Sequence, residues 1–158
     1  MYDLLKLLEE NARYTNEELA AMLGKEAGDI AAAIGEFEKK GIICGYKAIV
    51  DWDRTEREYV SARIELKVTP QKDNGFEELA GEISRYREVQ SLYLMSGGYD
   101  LALTVTGKSF KDIASFVAYR LATLDLVQST ATHFVLQKYK EKGVVLDEKG
   151  RRDGRVLI

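Results

Sequence analysis

The spacing of apolar positions changes along the chain. Up to about residue 40 they recur every three or four residues. From residue 60 onward, stretches that alternate every second residue are interleaved with further helical stripes. Leu4, Leu5, Leu7 and Leu8 behind Asp3 predict a first helix. Thr15-Asn16-Glu17-Glu18 is a capping box, in which the Thr15 hydroxyl accepts from the Glu18 amide and Glu18 reaches back. It opens a second helix with Leu19, Met22 and Leu23 on its apolar face and Gly24 as its stop. A third helix is predicted over about 27–40, where Ile30, Ile34 and Phe37 fall at i, i+4 and i+7, and Gly41 ends it. Residues 42–50 read as a strand. Three short helices with a tight turn between the second and third fit a helix-turn-helix, and equally a generic helical unit.

In the second part, Val60, Ala62, Ile64, Leu66 and Val68 alternate with Ser61, Arg63, Glu65 and Lys67, the pattern of a strand with one wet face. A loop follows over 70–75. Asn74 is placed to cap a helix that buries Phe76, Leu79, Ala80 and Ile83. Strands are predicted at 89–95 and 100–106, joined by a Gly97-Gly98 hairpin signal. Ser109, with Asp112 in the box position, caps a helix whose buried stripe is Phe110, Ile113, Ala114, Val117 and Leu121. A long last strand spans about 127–139. The order β-α-β-β-α-β is the ferredoxin-like unit. With both helices on one face, the other face or the edges are expected to pair with another subunit. Residues 141–158 read as a tail, with a short strand near Val144 and a polar, mobile Arg151-Arg152-Asp153-Gly154-Arg155. The fold class expected is α+β, one helical unit followed by one βαββαβ unit.

Composition narrows the chemistry. A single cysteine, Cys44, forbids an intrachain disulfide. No apolar run is long enough to span a bilayer and the start lacks a signal-peptide pattern, so a cytoplasmic protein is expected. With one histidine, His133, and one cysteine, no Cys/His metal cluster can form, and neither a metal nor a cofactor is expected. Walker A, G-x-S-x-G and G-x-G-x-x-G patterns do not occur, and no carboxylate pair declares itself, which leans toward a binding protein over an enzyme. Charge offers no basic half. Residues 1–54 hold seven basic and eleven acidic side chains in a chain of net charge −3.

The order of these elements resembles the Lrp/AsnC family of feast/famine transcriptional regulators. Its anchors here are Leu7-Leu8-Glu9-Glu10-Asn11-Ala12-Arg13, Asn16-Glu17-Glu18-Leu19-Ala20 and Lys40-Gly41-Ile42-Ile43-Cys44-Gly45-Tyr46, then Gly97-Gly98-Tyr99-Asp100-Leu101 and Ser129-Thr130-Ala131-Thr132. The resemblance covers roughly residues 3–140. It implies a winged helix-turn-helix DNA-binding domain over 1–52, a hinge at 53–57, and a RAM-type effector and assembly domain over 58–140. It also implies a homodimer, often assembled into tetramers or octamers, and an amino acid as effector.

The third helix departs from the family pattern. The frequent arginines of its relatives are absent at Ala33, Gly35 and Glu36, and Glu26 stands in place of the cap serine. DNA affinity comes largely from Lys and Arg that release counterions. Here the candidate DNA-facing residues are Arg13, Lys25, Asp29, Ala32, Glu36, Lys39, Lys40 and Lys47. The cations sit at the edges of the motif and double as solvated helix ends, while Asp29 and Glu36 oppose phosphates, so binding to double-stranded DNA is expected to be weak and salt-sensitive.

For an amino-acid effector, Gly97 and Gly98 can offer turn amides to a carboxylate, and Asp100 can receive an ammonium. The resemblance adds Tyr99, and Ser129, Thr130 and Thr132 are placed to add hydroxyls. The plainer reading is a Gly-Gly hairpin capped by Asp100. His133 reads as a satisfied or interface histidine, Cys44 as a small packing residue, and Trp52 as packing where the domains join. Two other functions fit the sequence. One is an effector-sensing interaction protein that has lost autonomous operator binding, favoured by the acidic third helix. The other is an enzyme, since haem-pathway decarboxylases share this layout, although they favour histidine-bearing sites.

Overall fold

The computed structural model describes residues 2–69 and 75–146. The chain divides into two compact units, between Ile49 and Val50.

The first unit is three helices: α1 (Tyr2–Glu10), α2 (Asn16–Leu23) and α3 (Ala27–Lys39). The capping box forms as read. Glu18 N–H donates to Thr15 Oγ1 at 3.2 Å, and Thr15 N–H donates to Glu18 Oε2 at 2.8 Å. Gly24, at φ +61°, ends α2 in the left-handed region, where a side chain would be strained. After α3, the Ile42 amide bonds the Phe37 carbonyl at 2.9 Å and the Gly41 amide bonds Glu38, a Schellman ending. The core is Leu4, Leu8, Leu19, Ala20, Ile30 and Phe37, with Ile34 and Leu23 half-buried beside it. Met22, expected on the apolar face, is 52% exposed. An eight-residue helix presents a narrow stripe inward, and Leu19 and Ala20 fill it.

The strand expected over 42–50 does not form. A strand needs a ladder partner, and no segment of this chain pairs with these residues among those described. The extended segment leaves Ile42, Tyr46, Ile49 and Val50 exposed. Cys44 is exposed with it, contrary to the packing reading, and its thiol donates to the Gly41 carbonyl at 3.1 Å.

The second unit is the βαββαβ fold. Its elements are β1 (Val60–Val68), α4 (Gly75–Ile83), β2 (Val89–Leu94), β3 (Leu101–Gly107), α5 (Phe110–Phe116) and β4 (Val127–Phe134). The sheet order is β2-β3-β1-β4, with every neighbouring pair antiparallel. The alternation of β1 turns Ala62, Ile64, Leu66 and Val68 onto Leu101, Leu103 and Val105 of β3 and onto the helices' Leu79, Ile83, Ile113, Phe116, Val117 and Leu121. The predicted Asn74 cap lies outside the described residues. Ser109 and Asp112 form their capping box at 3.1 and 3.0 Å. The helix continues through a π turn, Val117–Leu121, closed by an Ala122 N–H bond to the Val117 carbonyl at 2.8 Å. Phe110 and Ala114, expected in the buried stripe, are exposed. Phe110 meets Phe134 edge-on at 4.8 Å instead.

The last strand stops at Phe134 rather than near residue 139, because its partner β1 starts at Val60. Beyond it, β5 (Lys140–Glu141) and β6 (Val144–Val145) form a small hairpin, and Leu146 is buried. Trp52 stacks on Tyr59 at 5.9 Å, with Arg57 4.5 Å above its ring. No helix among the described residues is long and apolar enough to cross a membrane.

Candidate nucleic-acid interface and effector loop

All eight candidate DNA-facing residues are exposed: Arg13, Lys25, Asp29, Ala32, Glu36, Lys39, Lys40 and Lys47. Their arrangement follows from helix period. Ile30 and Phe37 point α3 into the core, so the opposite face, with Ala32 at its middle, carries Gly28, Asp29, Gly35, Glu36 and Lys39. Two of its glycines have no packing reason: a Cβ on Gly28 or Gly35 would meet nothing within 4 Å. The charges are partly spent internally. Lys40 Nζ lies 3.5 Å from Glu36 Oε2, and the Tyr46 hydroxyl donates to Glu38 Oε1 at 2.9 Å. Burial first, then the Glu38 carboxylate, raises the Tyr46 pKa. The Tyr46 link ties the segment bearing Lys47 back to α3, a contact that residue spacing did not signal.

The effector candidates sit at one end of the sheet. Gly97, at φ +135°, and Gly98 lie in the tip between β2 and β3, closed by the Met95 N–H bond to the Asp100 carbonyl at 2.8 Å. Asp100 is bolted to β1: its amide donates to the Leu66 carbonyl at 2.9 Å, and its Oδ2 accepts the Val68 amide at 2.8 Å. One carboxylate oxygen is thus occupied by backbone, a turn-capping role, and Tyr99 beside it is half-buried. Register puts Thr130 opposite Leu66 and Thr132 opposite Ile64, on the helix-covered face. Ser129 pairs with Lys67 and points to the open face, so the three hydroxyls do not converge. Plain strand alternation sets this parity, since Ser129 and Thr130 are consecutive, and the β4 bulge that skips Gln128 lies beyond Ser129.

The open face itself carries Arg63, Glu65, Lys67, Thr104 and His133. The Arg63 guanidinium donates to Thr104 Oγ1 at 3.0 Å, and His133 Nε2 lies 3.7 Å from Glu65 Oε2. Two cavities lie away from the effector candidates. One of about 30 Å³ is lined by Trp52, Tyr59, Ser61 and Lys138, and a groove of about 330 Å³ is lined by Glu78, Glu82, Leu124 and Asp125. No cluster of His, Cys, Asp or Glu among the described residues is placed to hold a metal.

Comparison with known proteins finds two domain matches. Residues 2–43 match a winged helix-turn-helix DNA-binding domain, and residues 61–145 match the Lrp/AsnC ligand binding domain. An uncharacterised HTH-type transcriptional regulator of Bacillus subtilis, YugG, is 43% identical over 99% of this chain and 94% of its own. Among solved structures, PH0061 superposes with a TM-score of 0.76 at 26% identity, covering 89% of this chain and 93% of that one. A Neisseria meningitidis transcriptional regulator, NMB0573, solved as its L-Met complex, superposes with a TM-score of 0.70 at 25% identity, covering 87% and 88%.

Proposed function

The chain belongs to the Lrp/AsnC family of HTH-type transcriptional regulators, and on that premise we propose how its two units share the task. The helical unit docks on double-stranded DNA with α3 toward the major groove. Lys25, Lys39, Lys40, Lys47 and Arg13 reach for phosphates at its margins. The sheet unit takes up a small molecule, an amino acid, and assembles as a homodimer, or further as a tetramer or octamer, through the sheet face and edges that its own helices leave uncovered. The protein acts in the cytoplasm as a regulator and not as a catalyst.

The observation that carries this reading is the coupling of a DNA-binding match at residues 2–43 to a ligand-binding match at 61–145 in one chain. It favours an autonomous regulator over a sensor that has lost its operator. The L-Met complex of the Neisseria relative supports an amino-acid effector. In this chain the Gly97 and Gly98 amides would meet the effector carboxylate, and the free oxygen of Asp100 its ammonium, with Tyr99 flanking. On β4, beyond β1, either Ser129 or, on the opposite side, the pair Thr130 and Thr132 would add hydroxyls. Signal transfer is linkage: the effector shifts assembly only as far as its affinity differs between the two assemblies.

The test is fluorescence anisotropy with a duplex from the protein's own upstream region, against random duplex, from low to physiological salt, with and without an amino-acid pool. Saturable binding that outcompetes random DNA and changes with the pool is expected. No retardation at low salt, in either condition, would sink the reading. The salt slope counts the phosphates that the few cations reach.

A further inference from the structure

The outward face of α3 is the face a helix-turn-helix inserts, yet between Lys25 and Lys39 it offers no cation. Of the carboxylates of α3, Glu36 is paired with Lys40 and Glu38, on the flank of the helix, accepts from Tyr46. Asp29 has no side-chain partner among the described residues. It stands in the first turn of α3, and the N-terminal residues of a reading helix are the ones that contact base edges. Around it the surface is nearly bare: Gly28, Ala32 and Gly35 let the backbone lie close to whatever it faces, and neither glycine is held small by packing.

The groove chemistry then limits the choice of base. A carboxylate only accepts, so it is repelled by guanine, which shows the acceptors N7 and O6. Adenine offers N6–H beside the N7 acceptor, which again opposes a carboxylate. Cytosine shows its N4 amine without an acceptor on its own edge, and it is the base that Asp and Glu read. A short apolar side chain such as Ala32 meets a thymine methyl. The same carboxylate repels phosphates, lowering affinity for DNA in general and leaving discrimination to the direct contact.

We propose that Asp29 is a specificity-determining residue that accepts from a cytosine N4 amine in each half-site, with Ala32 against a neighbouring thymine methyl. The operator is then read by an acceptor and a methyl contact, not by cationic guanine recognition. This inference rests on the DNA-binding reading above.

The experiment is selection of randomised duplexes by the full-length protein at low salt, run in parallel for wild type, Asp29→Asn and Asp29→Ala. Circular dichroism checks that the exposed substitutions leave the fold intact. Wild-type sites should share one C·G pair per half-site, whose replacement by A·T weakens binding about tenfold. Asp29→Asn should move the preference at that position to adenine, which Asn contacts through N6 and N7. Asp29→Ala should flatten that position and leave the others unchanged. Unchanged preferences in Asp29→Ala, with wild type still selecting sites, would overturn the assignment alone. Failure of the wild type to select any sequence would overturn the DNA-binding reading, and this inference with it.

Discussion

Among the described residues, the helical unit closes around six buried side chains, from Leu4 to Phe37, whereas the sheet unit closes around thirteen, from Ala62 to Leu121. A unit of some fifty residues buries a small share of its surface and is correspondingly marginal. Caps and turns therefore carry a larger share of its stability than they do in the sheet unit. The two also differ in how their candidate sites are built. The outer face of α3 has no packing duty, so changes there report on binding. The candidate effector loop is stapled to β1 through Asp100, so changes there would mix binding with stability.

The largest effect should come from breaking the smaller core. Ile30 is 1% exposed, and Ile30→Ala should cost about 2–5 kcal/mol. In the helical unit that is enough to unfold the unit and abolish DNA binding while the sheet unit stays folded. Leu103→Ala, at a comparable cost, should leave the sheet unit folded. Calorimetry and amide exchange on the two variants decide it, and a single shared transition in both would break the comparison.

Asp100→Ala should cost about 1–3 kcal/mol, because it strands the Val68 amide. Asp100→Asn, which keeps an acceptor, should cost less. Urea denaturation reads both. If Asp100→Ala lost effector binding with no loss of stability, the staple would not be what holds the loop.

Thr15→Ala should cost about 1 kcal/mol by removing the α2 cap, and the loss should appear only in the transition of the helical unit. Gly35→Ala should stabilise that unit by about 0.5–1 kcal/mol, since the added methyl meets open space in a helix interior. It should weaken DNA binding at the same time, because the methyl holds the helix off the groove. A melting scan and an anisotropy titration on one preparation test both halves.

The smallest effect is alkaline. Burial first, then neighbouring carboxylates, raises the pKa of Tyr46 in one unit and of Tyr86 in the other above the ordinary 10.0. A raised folded pKa means that the stabilisation is fully present below about pH 10 and lost as pH climbs through the folded value. Tyr46→Phe should remove a little of that alkaline loss in the helical unit, and Tyr86→Phe in the sheet unit. Melting curves taken on either side of pH 10 measure it.

Both capping boxes, the turn-closing glycines and the alternation of β1 could be read from residue order, because each is set by neighbours within about four positions. The family could be read for the same reason, from the order of such local signals. For the candidate DNA face, period alone put Asp29, Ala32 and Glu36 outward. Neither the Glu36–Lys40 pair nor the Tyr46–Glu38 tether, which leave Asp29 as the carboxylate within α3 without a partner among the described residues, was evident before folding. The candidate effector loop was legible as a hairpin and no further.

The sequence by itself determined helices α1 to α5, the strands β1 to β4 and most of their buried positions, though not the end of β4 nor the places of Met22, Phe110 and Ala114. What covers each face was decided only in three dimensions. The Asp100 bond to Val68 spans 32 positions. Residues 42–50 stay unpaired although their composition suits a strand. Periodicity is a property of a segment alone. A ladder or a staple needs a partner from elsewhere in the chain, and that partner is chosen only when the sheet assembles.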